Sequence, residues 1–127
     1  MTAYLTLEDL LVLVDDLGVG PLRDLGLLES AIRRPATSLW SRDAYPSIEV
    51  KAAALLESLV RNHPLVDGNK RLGWLAAVVF LDLNGYWLEA PDDDAYDLVM
   101  GVADSTYALA EIAECFRSWT STFNAGP

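Results

Sequence analysis

Apolar residues recur at helical spacing along most of the chain, and turn-forming residues divide them into six segments. Thr6 followed by Asp9 forms a capping pattern, after which Leu7, Leu10, Leu11 and Val14 share one helical face. Gly18, Gly20 and Pro21 end this first helix. A second is predicted from about Leu25 to Arg34, with Leu27, Leu28, Ala31 and Ile32 inward, Arg33 and Arg34 at its negative end, and Pro35 as its stop. Residues 36–46 show no period and read as a loop. Ser47 caps a third helix carrying Ile48, Ala52, Leu55, Leu56 and Leu59; it runs into Asn62-His63-Pro64, where the proline disfavours helical geometry at His63.

A fourth helix is predicted from Asn69 to Leu83, apolar nearly all round after Arg71 and therefore the most buried, with Asn84-Gly85 as its stop. Tyr86, Trp87 and Leu88 read as a short extended segment. Asp92 caps a fifth helix carrying Tyr96, Leu98, Val99 and Val102. A sixth runs from about Ala108 to Thr122 on Leu109, Ile112, Ala113, Phe116 and Trp119. The expected fold is all-α: one domain over 1–127, a six-helix bundle with a central buried helix. Trp74, Trp87 and Trp119 are assigned to its core.

Composition narrows the function. With 9 Lys and Arg against 19 Asp and Glu, the net charge of -10 disfavours a general nucleic-acid surface or a polybasic membrane anchor. The longest uncharged apolar run, Leu72 to Leu81, is ten residues, about half of a membrane span. The N-terminus lacks the basic stretch of a signal peptide, and the single Cys115 has no disulfide partner, so a cytoplasmic protein is expected. Cys115 reads as an ordinary half-buried thiol, and Asp92-Asp93-Asp94 as favourable charge at a helix start rather than a metal site.

Against this acidic background one segment stands apart: His63-Pro64-Leu65-Val66-Asp67-Gly68-Asn69-Lys70-Arg71, at the junction of two apolar helices. It holds the only histidine, a carboxylate, a glycine and two of the nine cations. The first N–H groups of a helix lack intrahelical partners, and Gly68 lets the preceding loop turn so that such groups converge on an anion. Cations are unfavourable at the positive end of a helix dipole, so Lys70 and Arg71 make sense there if a phosphate is bound between them. Asp67 is a hard oxygen donor suited to Mg²⁺ carried by nucleotide phosphates, and His63 suits proton transfer near neutral pH. Taken singly, His63 reads as a structural hydrogen-bonder and Asp67 or Asn69 as the N-cap of the fourth helix; their conjunction favours phosphoryl or nucleotidyl transfer. Arg61, two residues before His63, is a further candidate cation for the same pocket.

The segment resembles the core motif of the Fic/Doc superfamily, His-x-Phe-x-Asp/Glu-Gly-Asn-Gly-Arg followed by a second arginine. This chain has Lys70 at the last glycine and Trp74 at the second arginine, both as in the Doc (death-on-curing) branch. The stretch Leu27 to Pro35 and Phe80-Leu81 through Asn84-Gly85 are also similar to that branch. Leu65 replaces the motif phenylalanine and is expected to anchor the loop in the core.

The resemblance implies a toxin that moves a phosphoryl group from ATP to a hydroxyl of a Tu-like elongation factor. His63 would be the base and Asp67 the Mg²⁺ ligand, with Gly68, Asn69, Lys70 and Arg71 holding the nucleotide. AMP transfer, as in the main Fic branch, and a catalytically silent antitoxin-binding module are the alternatives. Losing the second arginine removes a bidentate phosphate clamp that Trp74 cannot replace, which favours phosphoryl transfer. No Ser or Thr is followed four residues later by Glu, so the self-inhibitory helix motif of many Fic proteins is missing. The resemblance implies restraint by a Phd-type antitoxin instead. Leu39, Trp40 and Tyr45 are candidates to receive it.

Overall fold

Leu7 begins the first helix because Thr6 accepts from Asp9 N at 3.2 Å while the Asp9 carboxylate accepts from Thr6 N at 2.9 Å. In the computed structural model, which describes residues 1–122, this is α1 (Leu7–Leu17), followed by α2 (Leu25–Arg33), α3 (Ile48–Asn62), α4 (Asn69–Leu83), α5 (Asp92–Ala103) and α6 (Leu109–Trp119). The last five positions of the expected 1–127 domain lie outside the described residues. The predicted caps at Thr6 and Ser47 are present, the latter accepting from Val50 N at 3.2 Å. Six α-helices among the described residues confirm the all-α expectation.

The core is built on α3 and α4. α3 packs against α2, α4, α5 and α6, and it is buried even more completely than α4, from Lys51 through Leu56 and again from Ser58 to Val60. α4 contributes Leu72, Ala76, Ala77, Phe80 and Leu81. Their close approach depends on Gly73, where a Cβ would meet Val60 Cγ2 at 2.8 Å and Leu56 Cδ1 at 3.2 Å. Asn84 then ties the chain start to the end of α4, its amide donating to Ala3 O and Phe80 O and accepting from Ala3 N.

Several local expectations are corrected. Arg34 leaves α2 for a 3₁₀ turn over Arg34–Ala36, where its guanidinium reaches Tyr45 Oη, Ala54 O, Glu57 and Ser58 at 2.9–3.2 Å. The loop at 36–46 contains a hairpin, β1 (Ser38–Leu39) with β2 (Arg42–Asp43). Trp40 and Ser41 both take positive φ at its tip, the conformation of a two-residue hairpin turn. Lys51, almost fully buried on α3, holds this hairpin by donating to Pro35 O at 3.1 Å and Asp43 Oδ2 at 3.2 Å. Asp92 is the first residue of α5 and not its cap, although Asp92, Asp93 and Asp94 do occupy the first turn. The sixth helix ends at Trp119, and Thr120–Thr122 form β4, antiparallel to β3 (Tyr86–Leu88). Leu11, Tyr96 and Trp87 are exposed, so Trp87 is no core residue; Trp74 and Trp119 are half-buried and meet edge to face at 6.4 Å.

Replacing Gly73 by Val should therefore destabilise the protein by roughly 1–3 kcal/mol through overpacking of α3 on α4. Urea unfolding measures this; wild-type stability in the variant would contradict the close-packing assignment.

Candidate functional site

Between α3 and α4 the chain must reverse without a regular turn. Helix α3 ends at Asn62, and His63 takes the left-handed conformation at φ 53°, ψ 60°. Leu65 then plunges into the core at 1% exposure, as its anchoring role requires. Gly68 is the N-cap of α4 at φ 93°, a region that favours glycine. A side chain there would also collide with Val19, whose Cβ lies 2.4 Å from the position of a Gly68 Cβ.

The loop is paired along its length with the segment between α1 and α2. Gly20 N donates to Asp67 O at 3.0 Å, and Val66 N donates to Pro21 O at 2.9 Å. Arg23 N and Asp24 N both donate to Pro64 O, at 2.7 and 3.0 Å, and Leu22 forms a bridge with Leu65. Residues 19–24 are thus a strap across the motif. Sequence reasoning gave them no role beyond ending α1, because pairing across some forty residues leaves no local period.

Asn69 secures the loop from inside. It is 7% exposed, its Oδ1 accepts from Leu65 N at 2.9 Å, and its Nδ2 donates to Leu65 O at 2.9 Å. These bonds fix the amide orientation, so Nδ2 is the atom 3.3 Å from His63 Nδ1. Neither Asn69 nor Asp67 is the N-cap of α4: Gly68 occupies that place and has no side chain to cap the first turn.

A pocket of about 710 Å³ opens over this junction. His63, Asp67, Gly68, Asn69, Lys70 and Arg71 line its polar end. Leu17, Val66, Trp74, Leu75, Ala95, Tyr96, Val99 and Met100 line the apolar remainder. The exposed Tyr96 and Met100 of α5, with Trp74 and Leu75 of α4, were not predicted site residues; their helical spacing reads equally as core. The pocket thus combines two cations beside a helix N-terminus with a largely apolar lining.

Arg61 is not brought into the pocket. Its guanidinium donates to Glu57 at 3.0 Å, Val102 O at 2.9 Å and Tyr107 O at 3.0 Å, tying α3 to the end of α5. Cys115 also lies elsewhere, and burial, with Glu111, Glu114 and Asp94 nearby, pushes its thiol above the ordinary value. Asp67 is the single carboxylate of the pocket, and no group of three or more His, Cys, Asp or Glu among the described residues could hold a metal by itself.

A loop between two buried helices, with a histidine before it and two cations after it in the first turn of a helix, is an arrangement able to accept an anion. The chain matches the model of the Fic/DOC family over residues 4–81. It is also 49% identical over 130 residues to the Toxin Doc of Mycolicibacterium smegmatis, an alignment covering 99% of this chain and all of that protein. The chain belongs to the Fic/DOC family. The α5 wall of the pocket lies beyond the stretch that the family model matches.

Replacing Asn69 by Ala leaves the buried Leu65 N–H and C=O without their partner, at an expected cost of about 1–3 kcal/mol. Chemical denaturation of the two proteins tests this, and equal stabilities would remove Asn69 as the inner support of the loop.

Proposed function

We propose that this chain is the toxin of a toxin–antitoxin system and transfers the γ-phosphoryl group of ATP to a hydroxyl of a Tu-type elongation factor, arresting translation. The observation that carries this reading is the pairing of exposed Lys70 and Arg71 in the first turn of α4 with Trp74 one turn on, in the pocket wall. Lys70 and Arg71 bring two cations to the phosphates. Trp74 stands where an arginine would clamp them in an AMP transferase, and its ring is held by Phe116 and Trp119. The Toxin Doc name of the 49% identical relative supports the toxin assignment.

In this reading the base and sugar lie against the apolar wall, and the phosphates meet Gly68, Lys70, Arg71 and the first N–H groups of α4. Asn69 contributes its main-chain N–H, since its side chain is committed to Leu65 and His63. The target hydroxyl oxygen attacks the γ-phosphorus, the bond to the β–γ bridging oxygen breaks, and ADP leaves with that electron pair. His63 takes the hydroxyl proton. Asp67 would be the residue to hold Mg²⁺, as the carboxylate of the pocket lining. The chemistry such an ion would supply is neutralisation of phosphate charge.

Restraint is assigned to a Phd-type antitoxin. Leu39 and Trp40, exposed on the hairpin, are the apolar side chains offered to a protein partner. Tyr45 is less suitable, being half-buried with its hydroxyl accepting from Arg34. No helix among the described residues is long and apolar enough to cross a membrane. The assigned place of action is the cytoplasm, where elongation factors work.

The test is incubation of the purified protein and an elongation factor Tu with ATP labelled at either the γ- or the α-phosphate. Label from γ alone is expected, reduced by roughly 10²–10⁴-fold in His63→Ala if the ring is the base. Label from α would instead establish AMP transfer, and no label from either would leave a silent antitoxin-binding module.

A further inference from the structure

Arg23 has no part in the chemistry assigned above, yet it holds three consecutive carbonyls of the motif loop. Its Nε donates to His63 O at 2.6 Å and a terminal guanidinium nitrogen donates to Asn62 O at 3.0 Å. Its main-chain N–H takes the next carbonyl, Pro64 O, at 2.7 Å. A helix end needs donors for its last carbonyls, and a residue following a left-handed cap normally brings one through its own N–H. Here that residue is Pro64, which has none. A guanidinium offers two N–H groups in a rigid fork with a positive charge suited to a helix C-terminus, so it can bridge adjacent carbonyls where an ammonium cannot.

His63 has a second requirement. The left-handed conformation is unfavourable for a residue with a side chain and persists only when its surroundings fix it. Asn69 touches the ring and Arg23 grips the peptide on either side of it, so the two together define where the imidazole stands.

We infer that Arg23 is a positioning residue for His63: by clamping the carbonyls of Asn62 and His63 it keeps the imidazole aimed into the pocket. The inference rests on the reading of His63 as the group that takes the substrate proton.

The chain has one histidine, so the one histidine Hε1 resonance reports on His63. The test compares wild type, Arg23→Gln and Arg23→Lys by this resonance, and by kcat and KM for ATP in the γ-label assay on folded protein. Arg23→Gln is expected to move or split the resonance and lower kcat by about tenfold or more, with KM for ATP within about twofold of wild type. Arg23→Lys should recover part of kcat, because an ammonium reaches one carbonyl but does not bridge two. A wild-type resonance with wild-type kcat in both variants, or a change confined to KM, overturns the inference. If Arg23→Gln does not fold, Arg23→Lys decides on the same criteria. If the wild type transfers no label, the proposed reaction fails, and the resonance alone decides whether Arg23 positions the ring.

Discussion

The carboxyl end of α3 meets a proline, and the site is organised around that constraint. Pro64 removes the N–H that would close the helix, His63 swings into a left-handed conformation, and the chain turns at once into Leu65 and the core. The strap over residues 19–24 supplies partners, the Arg23 side chain for Asn62 O and His63 O and the main chain for the loop beyond: Gly20 on Asp67 O, Arg23 and Asp24 on Pro64 O, and Pro21 O on Val66 N. The strap in turn leaves no room for a side chain at Gly68, which brings the loop backbone against Val19 and opens the first turn of α4. One local problem of helix termination thereby determines both the placement of the histidine and the path of the loop into α4.

Charge follows a similar economy. A protein with net charge -10 uses most of its nine cations for structure. Lys51 holds the hairpin to α3, while Arg34 and Arg61 share Glu57 from either side and join α3 to its neighbours. Arg33 and Arg117 pair with acidic side chains, and Arg23 serves carbonyls. Lys70 and Arg71 make no ion pair among the described residues and stand at the positive end of α4. Without an anion that placement is unfavourable.

The helices were legible because their signals are local: Thr6 with Asp9, Ser47, and apolar faces at three-to-four spacing. The motif was legible because its residues are contiguous. What could not be read depends on distant pairing or on burial. Trp40-Ser41 lacks the Asn-Gly signature of a tight hairpin, so the strands beside it were hidden. Lys51 looks like a surface charge in a sequence and Arg61 like a cation of the pocket, and only the fold shows the first buried and the second tied to Glu57, Val102 O and Tyr107 O. Trp87 and Tyr96 have core chemistry but face outward, Tyr96 into the pocket. The strap carries its meaning in main-chain hydrogen bonds, which side-chain identity does not encode.

The motif loop is built by its own hydrogen bonds, with no ligand needed to form it. Amide hydrogen exchange of the nucleotide-free protein tests it most directly, at the N–H groups of Gly20, Arg23, Asp24, Leu65 and Val66. Strong protection is expected at these amides, little changed by added ATP and Mg²⁺. Fast exchange of the same amides in the free protein, with protection appearing only when nucleotide is present, would contradict it.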